Sequence, residues 1–71
     1  MMPLSMVSTG TTVTIARITG KDETKRHLNN LGFVIGSPVS IVSEMNGNLI
    51  VNVKETRVAI DKAMANRIFV H

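Results

Sequence analysis

The chain has 71 residues, an apolar fraction of 44% and a formal net charge of +3. A domain this short buries only about 60% of its unfolded surface, so its aliphatic side chains must serve one core. Having no Cys, Trp or Tyr excludes disulfide staples, thiolate metal sites, Cys nucleophiles and Trp- or Tyr-based stacking platforms.

Residues Pro3 to Gly10 read as a short lead-in turn with apolar anchors. Met1 to Met6 has neither the basic n-region nor the apolar h-region of a signal peptide. No apolar run approaches the roughly 18 residues of a membrane helix. The expectation is a cytoplasmic protein forming a single domain over residues 1–71. Thr12 to Ile18 alternates Val13 and Ile15 with Thr and predicts a strand, which Thr19-Gly20 ends.

Asp22 to Leu31 predicts the one helix. Asp22 is placed to cap its first turn, and Thr24, Leu28 and Leu31 share one face. Gly32 follows, where a left-handed C-cap suits glycine. Most of the helix girth is polar, so it should ride on a surface.

Val39 to Met45 and Leu49 to Val53 predict two strands around Asn46-Gly47, a strong hairpin signal. A two-residue loop would set Ile41 opposite Asn52 and Val39 opposite Lys54. A three-residue loop, Asn46-Gly47-Asn48, sets Ile41 opposite Val53, Ser43 opposite Val51 and Met45 opposite Leu49. The second keeps apolar residues largely on one face and is preferred. Glu55-Thr56 predicts a turn, and Arg57 to Ile60 a short strand. Asp61 should cap one helical turn, Lys62 to Asn66. Arg67 to Val70 predicts a last strand, pairing with the first.

Short strands with tight turns imply a mainly β fold, a nearly closed antiparallel barrel of about five strands. It carries one short surface helix and a C-terminal helical turn. The inward set should be Val13, Ile15, Leu28, Leu31, Val39, Ile41, Val51, Val53 and Ile68. Met6, Met45 and Met64 should fill gaps, and Phe33 and Phe69 should pack inside.

Chemistry-bearing patterns are sparse. His27 and His71 lie far apart, with no carboxylate three or four residues on, so neither predicts a metal ligand or a catalytic base. Asp22 and Glu23 are neighbours in sequence but do not face each other on a helix. No phosphate-binding glycine pattern is present. The sequence therefore predicts no catalytic, cofactor or metal residue, no cofactor and no enzyme activity. Nucleic-acid binding would call for a dense basic stripe with exposed aromatics, and the basic residues here are scattered. The residues left outward are Lys25, Arg26, Asn29 and Asn30 on the helix, with Asn46 and Gly47 at the hairpin. These six are the candidate partner contacts.

The segment Leu28-Asn29-Asn30-Leu31-Gly32-Phe33-Val34-Ile35-Gly36-Ser37-Pro38-Val39-Ser40-Ile41 resembles the FeoA family, ferrous iron transport protein A. The likeness rests on a leucine-bearing helix, Leu-Gly, an apolar residue, two positions, Gly and an alternating strand. Pro3-Leu4-Ser5-Met6 with Gly10 is similar to the family's opening. Arg57-Val58-Ala59-Ile60 with Ala63 and Ile68 is similar to its end. Two departures lie in loops: the hairpin is reduced to Asn46-Gly47-Asn48, and Glu55-Thr56 stands where a glycine commonly precedes the next strand. The resemblance implies an SH3-like barrel and a cytoplasmic accessory of ferrous iron uptake. Its implied partner is the cytoplasmic domain of FeoB, the membrane transporter with a GTPase domain, so any membrane association would be indirect. The alternatives are a nucleic-acid-binding SH3-like barrel, or the interaction domain of a metal-dependent transcription regulator. The family also carries an association with transition metal binding.

Overall fold

A computed structural model describes residues 1–71. Six strands form one antiparallel sheet, curled around a single core. In chain order they are β1 (Met2–Pro3), β2 (Thr12–Ile18), β3 (Pro38–Met45), β4 (Asn48–Val53), β5 (Thr56–Asp61) and β6 (Ile68–Val70). A 3-10 turn, Leu4–Met6, follows β1. Helix α1 spans Asp22–Asn30 and α2 spans Lys62–Ala65. The sheet order is β1-β6-β2-β3-β4-β5. The last strand pairs with β2, as the sequence predicts, and the two-residue β1 adds a sixth strand beside it.

The core is aliphatic apart from Phe33. Ile15, Leu28, Val39, Ile41, Val51, Val53 and Ile68 are all buried, and Val13 and Leu31 pack partly buried against them. Every member of the predicted inward set thus lines or flanks the core. Leu4, Leu49, Ile60, Ala65 and Val70 complete it. Two methionines depart from expectation. Met6 and Met45 are 67% and 61% exposed, while Met64 packs against the core. Leu4 already fills the space under the 3-10 turn, and Met45 stands at the lip of a hairpin. Phe69 is half-buried. Its neighbours Ile68 and Val70 point inward, so strand alternation turns Phe69 to the outer face.

The β3–β4 hairpin corrects the predicted register. Asn46 and Gly47 have φ of +50° and +81°, the signs of a two-residue type I′ turn. Met45 accordingly pairs with Asn48, and Ser43 with Ile50. Continued unbroken, that register would set Ile41 opposite Asn52. A bulge between Ile41 and Ser43 shifts the pairing by one, so Ile41 meets Val51 and Val39 meets Val53. The turn dictates one register and the core another, and the extra residue Val42 satisfies both. Neither the three-residue loop nor an unbroken two-residue register occurs. A second bulge lies between Ile15 and Arg17 in β2. Both increase local twist and help curl the sheet.

The cap of α1 also differs from expectation. The N-cap is Lys21, without a side-chain cap bond, and Asp22 is already the first helical residue. From there its carboxylate, like that of Glu23, complements the positive helix end without acting as the cap. The C-terminus follows the sequence. Gly32 has φ of +107°, its N–H donates to the Asn29 carbonyl at 3.0 Å, and the Phe33 N–H donates to the Leu28 carbonyl at 2.9 Å. This is a Schellman motif, with Leu28 and Phe33 both in the core. At α2, Asp61 caps as predicted, accepting from the Met64 N–H at 2.8 Å.

The β4–β5 turn sits one residue earlier than predicted, at Lys54-Glu55, and Thr56 belongs to β5. Lys54 and Glu55 both adopt left-handed backbone, φ +52° and +63°. A side-chain-bearing residue there costs about 1–2 kcal/mol. Glycine removes that cost and adds about 0.5–1 kcal/mol of entropy loss on folding. The expected outcome for Glu55→Gly is therefore a gain of roughly 0.5–1 kcal/mol, read as a higher urea midpoint at unchanged slope. A lower midpoint would contradict the strained turn.

Candidate protein-interaction surface

Each outward candidate predicted from sequence is exposed. On α1, Lys25 with Asn29 and Arg26 with Asn30 form two adjacent rows at i, i+4 spacing, while Leu28 is the helix's one buried residue. The molecule has one ion pair, Lys62 to Glu44 at 2.8 Å. Lys25 and Arg26 therefore carry charge with no carboxylate partner.

Asn46 and Gly47 are exposed at the far end of the β3–β4 hairpin. The C-terminal end of α1 lies elsewhere. A Cβ built on Gly32 would stand 3.3 Å from Lys54 Cγ and 3.6 Å from Val53 Cγ1, which places this helix end beside the β4–β5 turn. The Asn46-Gly47 turn begins β4 and the Lys54-Glu55 turn ends it. Six strand residues separate them, about 17 Å at strand rise. The hairpin tip and this end of α1 do not form one patch.

The structure adds two residues that the sequence reading passed over. Val34 and Ile35, in the loop after α1, are 40% and 65% exposed. The loop is held from both sides: the Gly36 N–H donates to the Ile15 carbonyl at 2.7 Å, and the Ser37 N–H to the Val34 carbonyl at 3.0 Å. An apolar knuckle, pinned to β2, therefore follows directly on α1. The sequence signal was the pair Gly32 and Gly36, which frames a loop too short to fold all three intervening apolar residues inward. Phe33 alone goes in.

No group of three or more His, Cys, Asp or Glu residues gathers anywhere in the chain. His27 is exposed on α1. His71 is anchored through its backbone, exchanging hydrogen bonds with Thr14 at 2.9 and 3.0 Å. An open cleft of about 340 Å³ is lined by Thr12, Ser37, Pro38, Val39, Ser40, Asn52, Lys54 and Glu55. It contains no histidine, and its one carboxylate is that of Glu55.

The FeoA domain family matches residues 2–71. An iron uptake regulatory protein (FeoA) is 28% identical, with a TM-score of 0.91 over 99% of this chain and 93% of its own. A Stenotrophomonas maltophilia FeoA complexed with zinc, described as a prokaryotic SH3 domain protein, is 30% identical. It aligns with a TM-score of 0.87 over 100% of this chain and 91% of its own. A manganese-dependent transcriptional repressor is 24% identical, with a TM-score of 0.86 over 96% of this chain and 39% of its own, and shares the fold. No curated protein sequence matches the chain. The fold thus defines an SH3-like domain. The chain belongs to the FeoA family, the accessory proteins of ferrous iron transport.

Iron(II) favours clustered imidazole and carboxylate ligands. Given the residues present, anaerobic titration with iron(II) should produce no saturable micromolar amide shifts. Such shifts centred on His27 would overturn this prediction.

Proposed function

We propose that this protein is a cytoplasmic accessory of ferrous iron uptake that binds the cytoplasmic domain of FeoB through the outer face of α1. Its membrane association is then indirect, through that partner. Lys25, Arg26, Asn29 and Asn30 form the contact rim, and Val34 and Ile35 supply its apolar centre. The carrying observation is that exposed apolar pair, in the loop that leaves the helix bearing two unpaired cations and two amides. Interfaces combine an apolar core with a polar rim in this way. Family membership supplies the transport context. The Stenotrophomonas relative is itself described in connection with ferrous iron transport activation, which supports the reading. Asn46 and Gly47 join the same contact only with a partner broad enough to span the length of β4.

The rim cations should govern association rate and salt dependence more than fold stability. Reversing both, Lys25→Glu with Arg26→Glu, should leave the unfolding free energy within about 0.5 kcal/mol of the parent. Affinity for the FeoB cytoplasmic domain should fall by about tenfold, which is 1.4 kcal/mol, and the salt dependence should flatten. Unchanged affinity would move the interface off α1. Lack of binding by the parent protein would remove the FeoB reading itself.

A further inference from the structure

β5 stands at one edge of the sheet. It hydrogen-bonds β4 on one side and no strand on the other. The two-residue turn fixes which of its backbone groups are free. Val53 and Thr56 close the turn, so Thr56, Val58 and Ile60 direct their N–H and C=O groups at β4. Arg57 and Ala59 direct theirs outward, as does the Asp61 N–H, while the Asp61 carbonyl serves as the N-cap acceptor that starts α2. The side chains of Arg57, Ala59 and Asp61 share the exposed face, while Ile60 is buried. Beyond the strand, α2 turns back over the sheet, because Lys62 reaches across β4 to pair with Glu44 of β3. The helix thus leads away from the free edge.

An exposed edge is a template for another strand, and proteins commonly blunt it with charge. Here the charges are symmetric and opposite in sign. About Ala59, Arg57 lies two residues before and Asp61 two residues after. We propose that β5 is a self-pairing edge, joining two copies of this chain antiparallel about Ala59. Arg57 of each copy then lies opposite Asp61 of the other, twice per pair, and Ala59 meets Ala59 at the two-fold axis. Val58 falls opposite Ile60, continuing the apolar inner face. Ala59 meets its counterpart as a hydrogen-bonded pair, and the Asp61 N–H of each copy donates to the Arg57 carbonyl of the other.

Competing registers are worse. A slip of two residues removes both charge pairs, a slip of one opposes inner to outer faces, and parallel pairing sets Arg57 beside Arg57. Asp61 retains the capacity required, because its Oδ1 caps α2 and its Oδ2 is unused. A single strand is a small contact, so the association should be weak and concentration-dependent. It should also weaken with salt.

The test is sedimentation velocity across a concentration series, with amide shifts followed in parallel. The parent should move toward twice 7.7 kDa as concentration rises, with shifts at Arg57, Ala59 and Asp61. Ala59→Pro removes one outward N–H that β4 does not use, and proline is tolerated on such an edge. It should stay folded and lose self-association. Arg57→Glu places like charges opposite each other and should also give monomer, which decides the matter if the proline variant unfolds. A parent that stays monomeric throughout would overturn the proposal. So would a dimer unaffected by both variants, or β5 shifts that need a different protein and ignore concentration.

Discussion

Burial of Leu28 is the contact on which the proposed contact surface depends. It is the only buried residue of α1, and it is fully enclosed. Its carbonyl also receives the Phe33 N–H, so one residue fixes both the seat of the helix and its exit. Removing such a side chain costs about 2–5 kcal/mol. A domain of this size has a total stability of the same order, at roughly 0.05–0.15 kcal/mol per residue. The directions of Lys25, Arg26, Asn29 and Asn30 follow from that seat. So does the position of Val34 and Ile35, because the chain leaves the helix through Gly32 and drives Phe33 into the core.

The helix end is also braced from the sheet side. The Lys54 stem and Val53 pack where a Gly32 side chain would go. Lys54 is one of two residues held in left-handed backbone at the β4–β5 turn. The strained turn therefore shapes two neighbourhoods. It sets the phase of free backbone groups along β5, and it places the side chain that backs the end of α1.

Much of this was legible in the sequence because it rests on local rules. Alternation in β2, β3 and β4 identified the core faces, and the helix pattern with Gly32 identified where α1 stops. The errors arose where two rules compete. Asn46-Gly47 demands a two-residue turn while Ile41 and Val39 demand apolar partners, and only the bulge at Val42 reconciles them. No propensity marks a bulge at Val42. Lys54-Glu55 was misplaced for a related reason, since neither residue favours the left-handed backbone the tertiary structure imposes. The outward residues of α1 were readable from its periodicity. The exposure of Val34 and Ile35 was not, because it depends on how the loop is pinned to Ile15.

The outer face of α1, with the knuckle after it, is the surface proposed to meet the FeoB cytoplasmic domain. The most direct measurement is an amide-shift map of this protein as the unlabelled FeoB cytoplasmic domain is added. The account predicts that the largest changes fall on residues 25–30 and 34–35, with Ile41, Val51 and the rest of the core undisturbed. Changes confined to the Asn46-Gly47 tip or to the Thr12–Asn52 cleft would contradict it.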